Sequence, residues 1–302
     1  MPEYGSVQRH PLMSLVYLVI FIILGYALSS VLAISILFLV NGGVVPSSDM
    51  MRSKGSLLLM QSIVSIGSFI APPLALHIFE KRSGSDYLKL NVKISGKTAI
   101  LTVVLMFCIA PFIEWTLKIN QMIDLPAFME GVEQWMRDKE MELAELTRQL
   151  LTMKTPADLI KNIIVVAVIP AIGEEFLFRG CFQTIITKIT RNQHLGIWLA
   201  AAIFSAIHIQ FLGFFPRMFL GALFGYIFVW TGSIWPAVLA HFINNASAVI
   251  SAYMIQSQGK SLDSMEDPST SLTAAAASLS MSLFLCYIFF RMNKTKREVL
   301  ND

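Results

Sequence analysis

The stretch that decides the fold is residues 159–185, LIKNIIVVAVIPAIGEEFLFRGCFQTI. As a helix it is long enough to cross a bilayer, and it is almost entirely apolar, yet it contains Glu174, Glu175 and Arg179. An ionised side chain at membrane depth costs on the order of 3 kcal/mol or more, so it is retained where it is paired or has a function. The stretch therefore predicts a transmembrane helix that carries a functional site.

The two glutamates of this helix have different prospects for pairing. Glu175 and Arg179 are four residues apart with the acid first, which is the favourable order for an ion pair on a helix. Glu174 lies about 100° around the helix from Glu175, and the positions three and four residues after it are the apolar Leu177 and Phe178. We therefore expect Glu175 to pair with Arg179, and Glu174 to face another part of the protein.

The whole chain has the composition of a polytopic membrane protein. Of its 302 residues, 55% are hydrophobic and 14% are charged, and the mean hydropathy is +0.64. These values exclude an ordinary soluble domain. The three cysteines lie in apolar runs and indicate neither a disulfide framework nor a cysteine metal site. We expect an all-α bundle of about eight transmembrane spans that forms a single membrane domain, residues 1–302.

Apolar runs and turn residues divide the chain into spans. The predicted spans are residues 12–40, 57–79, 98–117, 159–185, 195–213, 217–230, 234–255 and 272–290. In the sixth span, Gly221 and Gly225 form a small-xxx-small pattern that permits close helix packing. The spans within residues 159–255 contain the candidate site and form the predicted catalytic core.

A charged segment, residues 126–156, separates the third and fourth spans. Prolines bracket it, and its apolar residues recur at nearly helical spacing. We interpret it as an amphipathic helical insert that lies on the membrane surface or over the bundle. It is either a packing element or a lid over a substrate entrance.

Basic residues predict the orientation in the membrane. The loop at residues 80–97 and the tail from residue 291 are rich in Lys and Arg, and an even number of predicted spans separates them. The positive-inside rule places both in the cytoplasm. The N- and C-termini are then cytoplasmic, and residues 118–158 lie outside. The short loops suggest a bacterial protein of the inner (plasma) membrane.

Two histidines lie within apolar runs, as Glu174 does. His208 falls in the predicted fifth span and His241 in the seventh, where Asn245 shares the helical face of His241 and Asn244 is expected to point elsewhere. A rise of about 1.5 Å per residue places Glu174 and His208 about 20 Å from the cytoplasmic end, and His241 and Asn245 at about 10 and 16 Å. Residues of three helices at such depths predict one shared cavity.

These residues form three short motifs that occur in a fixed order. They are Glu174-Glu175-x-x-x-Arg179, Phe204-x-x-x-His208 and His241-x-x-x-Asn245. The ordered set resembles the signature of the CPBP family, which comprises intramembrane proteases related to the CAAX prenyl endopeptidases and to bacterial bacteriocin-processing or immunity proteins. The resemblance covers residues 159 to about 250.

The resemblance implies an intramembrane endopeptidase. Glu174 and His208 would activate a water molecule, and His241 and Asn245 would stabilise the oxyanion. These roles suit general-base catalysis by a carboxylate and charge stabilisation in a cavity of low dielectric constant. The residues that would support the site are Glu175, Arg179 and Phe204.

The sequence leaves a metal requirement and two other functions open. Glu174, His208 and His241 are also a set that could bind zinc with water as fourth ligand, so a zinc-dependent protease is the alternative to the favoured metal-free enzyme. Polar residues in spans also occur in proton-coupled transporters, although the chain shows no inverted repeat. A non-catalytic immunity or scaffold protein would keep the same motifs. The expected partners are the lipid bilayer and a peptide or protein substrate, without nucleic acid.

Overall fold

Helices make up the computed structural model of the protein, and no strand occurs in the residues that it describes, 10–81, 86–262 and 270–301. This confirms the predicted all-α class. The main helices are α1 (Pro11–Val40), α2 (Lys54–Glu80), α3 (Gly96–Gln121), α4 (Glu130–Leu151), α5 (Pro156–Thr190), α6 (Gln193–Ala206), α7 (Phe214–Thr231), α8 (Trp235–Ser257) and α9 (Leu272–Asn301).

Seven helices of the described chain are long and apolar enough to cross a membrane. They are α1, α2, α3, α5, α8, α9 and, counted with the turn before it, α7. Their outer faces expose large apolar side chains, such as Leu28 and Leu39 of α1, and such faces are stable against lipid rather than water. The protein is therefore an integral membrane protein with a polytopic helical bundle.

The predicted fifth span, residues 195–213, is wrong in its extent. Helix α6 has 14 residues and ends at Ala206, and a turn that contains His208 leads to α7. In this turn Ile209 has a φ of +54°, in the left-handed region that a β-branched residue rarely adopts. The apolar run continues through both helices, so hydropathy does not reveal the turn.

Helix α5 packs against α2, α6, α7 and α8 and is not a regular α-helix. Turns of π-helix cover Ile163–Val168 and Phe176–Gln183, on either side of the α-helical segment Ile169–Glu175. A π-helical turn shifts the direction of the side chains that follow it, and such turns are frequent at functional sites. The three motif residues of α5 therefore lie at the junction between an α-helical and a π-helical segment.

Glycines of α7 allow close contact with α5 and α6. A Cβ atom at Gly225 would lie 2.6 Å from Oε1 of Gln183 and 2.9 Å from Ile197, and one at Gly221 would lie 3.1 Å from Cβ of Ala201. Gln183 also donates a hydrogen bond to the carbonyl of Gly225 (3.2 Å). This is the close approach that the small-xxx-small pattern predicts.

Helix α4 lies across one end of the bundle, within the predicted insert. It is a single unbroken helix, Glu130–Leu151. Oε2 of Glu140 accepts a hydrogen bond from the backbone of Leu212 (3.2 Å), and Asn162 of α5 donates to the carbonyl of Leu150 (2.8 Å). These contacts tie α4 both to the turn before α7 and to the first turns of α5.

The orientation in the membrane stays a prediction. Residues 1–9 and residues 82–85 of the basic loop lie outside the described part of the chain, as do the side chains of the tail from residue 294 onward. The helices alone do not distinguish the two faces of the bilayer.

Candidate active site

A cavity of about 390 Å³ lies within the bundle, beneath α4. Its wall contains Glu174 from α5, His208 from the turn after α6, and His241 and Asn245 from α8. Phe204 of α6 lines the same cavity. Residues of all three motifs are therefore brought to one enclosed space, although they come from separate segments of the chain.

Glu174 faces this cavity. Its side chain is 14% exposed, and its Oε2 lies 3.8 Å from Nε2 of His241. Two polar atoms at this separation are too far apart for a direct hydrogen bond but close enough for one water molecule to bridge them. The arrangement places a carboxylate and an imidazole nitrogen side by side on the cavity wall, where one water molecule lying beside the pair could hydrogen-bond to both.

Glu175 is fully buried and contacts two side chains through one oxygen atom. Its Oε1 lies 2.9 Å from Nη1 of Arg179, as a close ion pair rather than an aligned hydrogen bond, and 2.8 Å from Nδ1 of His241. Because an ionised carboxylate only accepts hydrogen bonds, Nδ1 carries the hydrogen and Nε2 is the nitrogen near Glu174. The predicted pair with Arg179 forms, but no spacing or motif in the sequence indicates the contact with His241.

Arg179 connects α5 to α6 and α7 behind the cavity. Its Nη2 donates to the carbonyl of Gly221 (3.1 Å). Its guanidinium carbon lies 4.6 Å from the ring centre of Phe204 and 5.3 Å from that of Phe224. The carboxylate of Glu175 and the two aromatic faces together compensate a charge that is almost completely buried.

Phe204 and His208 form a unit at the end of α6. Nδ1 of His208 donates to the carbonyl of Phe204 (2.8 Å), because a carbonyl only accepts, so in the neutral ring Nε2 carries the free lone pair. The ring of Phe204 lies 5.1 Å from that of His208 and 5.9 Å from that of His241. Phe204 thus packs between Arg179 and both histidines.

The two asparagines of α8 both line the cavity. Asn245 donates through Nδ2 to the carbonyl of Val166 (3.1 Å), in the first π-helical turn of α5, and Asn244 donates to Oδ1 of Asn245 (3.1 Å). The prediction that Asn244 points elsewhere is wrong. Neighbouring residues of a helix differ by about 100° in direction, and the cavity wraps around enough of α8 to reach both.

Arg217 also lines the cavity and had no predicted role. It is the first residue of the predicted sixth span, residues 217–230. In the structure α7 begins at Phe214, so Arg217 lies in its first turn, next to the turn that carries His208. The sequence does contain an indication of its role, because Arg217 is a lone arginine within an apolar stretch. Its place at a predicted span boundary gave no reason to assign it to the site.

The residues as placed do not form a three-ligand metal site. Over the described ranges of the chain, no group of three or more His, Cys, Asp or Glu side chains is arranged to hold a metal ion. This applies to the alternative zinc set of Glu174, His208 and His241.

Comparisons with known proteins concern the same segment. Residues 156–247 match the family model of the Rce1-like type II CAAX prenyl endopeptidases. The uncharacterized protein YpbD of Bacillus subtilis (strain 168) is 35% identical over 91 residues, which are 29% of this chain and 43% of YpbD, so the match spans less than half of that relative. No solved structure matches the chain. The family match covers all three motifs, supports a protease, and confirms the resemblance of this chain to the CPBP family.

Proposed function

We propose that the protein is an intramembrane endopeptidase that hydrolyses peptide bonds in the cavity beneath α4. One observation carries the proposal: Oε2 of Glu174 and Nε2 of His241, from different helices, lie 3.8 Å apart on the wall of a cavity that His208 also lines. A carboxylate and two imidazoles in an enclosed, partly apolar space are the groups that hydrolysis by an activated water requires. The match to a family of prenyl endopeptidases supports the same activity.

In this proposal Glu174 is the general base. It takes a proton from a water molecule as the water oxygen bonds to the carbonyl carbon of the substrate. His208 holds the same water, because its Nδ1 is tied to the carbonyl of Phe204 and its Nε2 is free to accept a hydrogen bond. The proton then passes from Glu174 to the leaving amine when the carbon–nitrogen bond breaks, which gives a carboxylic acid and an amine.

His241 and Asn245 stabilise the negative charge that develops on the carbonyl oxygen. His241 presents Nε2 to the cavity, and a proton on this nitrogen donates to the oxyanion while the carboxylate of Glu175 balances the charge of the ring. Asn245 uses one N–H on the carbonyl of Val166 and has a second N–H for the oxyanion. Donors fixed in advance in a low-dielectric cavity are effective because they do not reorganise during the reaction.

Glu175 acts in this proposal as a positioning residue. Its contact keeps a hydrogen on Nδ1 of His241 and directs Nε2 toward Glu174, and its charge balances the ring when Nε2 is protonated as well. The role resembles that of the carboxylate that orients the histidine in a catalytic triad. Arg179 in turn fixes Glu175, since the two side chains are buried together.

We favour the metal-free mechanism over its zinc-dependent alternative. Glu174, His208 and His241 are not arranged as a ligand set in the described residues, and Asn245, which lines the same cavity, is a good oxyanion donor but a poor zinc ligand. The substrate would be a peptide or protein segment that reaches the cavity from the bilayer or from the side that α4 covers. We place the enzyme in the plasma membrane of a bacterium with both termini in the cytoplasm.

A comparison of membrane peptides tests the proposal. Cells would express the wild-type protein, Glu174→Gln or, as a matched control on the surface of α4, Glu142→Gln, at equal levels. New peptide ends should occur with the wild-type and control proteins and disappear with Glu174→Gln, because glutamine keeps the shape of the side chain but does not take the proton. Identical peptide ends in all three membranes would overturn the proposed activity.

A further inference from the structure

A second cavity of about 480 Å³ adjoins the first, and Arg217 lies where they meet. Arg217, Leu220 and Asn244 line both cavities. The rest of the second cavity is lined mainly by apolar side chains of α3, including Phe107 and Ile113, and by the carboxylate of Glu114. A peptide that extends from the first cavity into the second would therefore pass the guanidinium group of Arg217.

Neutral groups hold the guanidinium of Arg217 in place. Its Nη2 donates to Oε1 of Gln210 (2.9 Å) and its Nη1 donates to the carbonyl of the same residue (3.3 Å). It also packs on Gly213, where a Cβ atom would lie only 3.1 Å from Nη2. A guanidinium has five N–H donors, so these two hydrogen bonds orient the group and leave further donors for a ligand.

Arg217 differs from the other buried arginine of the site, because no carboxylate of the described residues contacts it directly. Arg179 has Glu175 at 2.9 Å. Within the described part of the chain, no carboxylate forms an ion pair with Arg217 at 4 Å or less, and Glu140 of α4 accepts instead from the backbone of Leu212. Glu140 and Glu174 lie near enough to attract the guanidinium without contacting it, so its remaining N–H donors are still open to a ligand, and its place in the first turn of α7 adds to the positive potential there. Such a group attracts an anion.

We propose that Arg217 is a subsite that binds a carboxylate of the substrate, while an apolar side chain next to that carboxylate occupies the second cavity. The inference rests on the proposed peptidase function, and it adds a determinant of which peptides are cleaved. A carboxylate is the anion that a peptide offers, and its two oxygens match the fork of a guanidinium. The carboxylate belongs either to the free C-terminus or to an acidic side chain, and the chemistry of binding is the same for both.

Three sets of apolar peptides separate these sources. One set ends in a free carboxylate, one ends in an amide, and one ends in an amide but carries a glutamate near its end. Cleavage by the protein in liposomes would be followed by mass spectrometry. We expect kcat/KM to be about 10- to 100-fold higher for one of the two carboxylate sets than for the neutral set, since a hydrogen bond to a charged group contributes about 1.5–3 kcal/mol. The preferred set identifies the source.

The variant Arg217→Gln should bring the ratio of kcat/KM between the preferred carboxylate set and the neutral set close to one, mainly by raising KM for the carboxylate set. Arg217→Lys should restore part of this preference. Gln210→Ala should lower the ratio in the same direction, because it loosens the guanidinium. Equal loss of activity toward neutral and carboxylate peptides would overturn the inference, since Arg217 would then act on Glu174 or on the fold. Equal cleavage of all three sets by the wild-type protein would overturn it as well.

A binding measurement distinguishes failure of this inference from failure of the proposed function. The melting temperature of Glu174→Gln in detergent would be measured with carboxylate and amide peptides. A larger increase with the carboxylate peptides, lost when Arg217→Gln is added, supports the subsite even if the wild-type protein cleaves nothing. Equal shifts with both peptides would exclude the subsite, whatever the activity.

Discussion

Replacing Glu175 with glutamine removes the charge of a fully buried side chain that contacts two others at once. The carboxylate lies 2.9 Å from Arg179 and 2.8 Å from His241. Glutamine has nearly the same shape, and its oxygen can still accept from Nδ1 of His241, so the loss is mainly electrostatic. Arg179, which is 1% exposed, is then left without a counter-ion. Breaking a buried pair in this way typically costs about 3–5 kcal/mol.

A second substitution, Arg179→Gln, allows the energy of the ion pair itself to be measured. Arg179→Gln alone removes the cation and also its contacts with Gly221 and the two phenylalanine rings. The double variant of Glu175 and Arg179 has no uncompensated charge at this position. We therefore expect the double variant to lose about 2–3 kcal/mol less free energy of unfolding than the sum of the two single variants.

Denaturant unfolding of the protein in detergent measures these free energies, and turnover of a verified peptide per folded molecule measures the effect on the site. Glu175→Gln should lower turnover even after correction for the folded fraction, because His241 loses the charge that balances it. Arg179→Gln should act mainly on stability. Additive single effects, to within about 0.5 kcal/mol, would refute the buried ion pair. Full turnover by folded Glu175→Gln would refute the positioning role.

Three further predictions concern the turn, the topology and the metal. Ile209→Gly relieves the left-handed backbone strain at φ +54°, so the free energy of unfolding in denaturant should rise by about 1 kcal/mol. Turnover should fall, because the turn then holds His208 less firmly. A lower free energy of unfolding would contradict this prediction. In a cysteine-free protein, Asp138→Cys should react with an impermeant reagent in intact cells and Lys93→Cys should not, and the reverse pattern inverts the topology. Purified protein should cleave peptides without stoichiometric zinc. About one zinc per chain, with activity lost on removal and restored on re-addition, would instead establish the zinc enzyme, whereas chelator inhibition alone has no bearing on this.

Features that depend on local spacing and apolar runs were predictable. The run from Leu159 onward predicts α5, and the spacing of Glu175 and Arg179 predicts an ion pair that the structure contains. The acid–base character of the site was visible because charged and imidazole groups are expensive within spans. The helical class follows from the same physics, since a bilayer favours segments that satisfy their own backbone hydrogen bonds.

Features that depend on contacts between helices were not predictable. The turn at Ile209 interrupts a continuous apolar run, and its backbone is held by a hydrogen bond from the N–H of Ile209 to the carbonyl of Ala206 rather than by a turn-forming residue. The π-helical turns of α5 have no periodicity of their own in the sequence. The contact of Glu175 with His241 joins residues that are 66 positions apart, and Arg217 reaches the cavity only because α7 begins earlier than the apolar run suggested.

In the proposed mechanism, Glu174 takes the proton of the attacking water. The most direct test is the turnover of one verified peptide by wild-type protein, Glu174→Gln and the surface control Glu142→Gln, each with its melting temperature. The account predicts that Glu174→Gln keeps the melting temperature of the wild-type protein and loses at least about 10²- to 10⁴-fold in turnover, while the control retains both. Turnover by Glu174→Gln close to that of the wild-type protein would contradict the account.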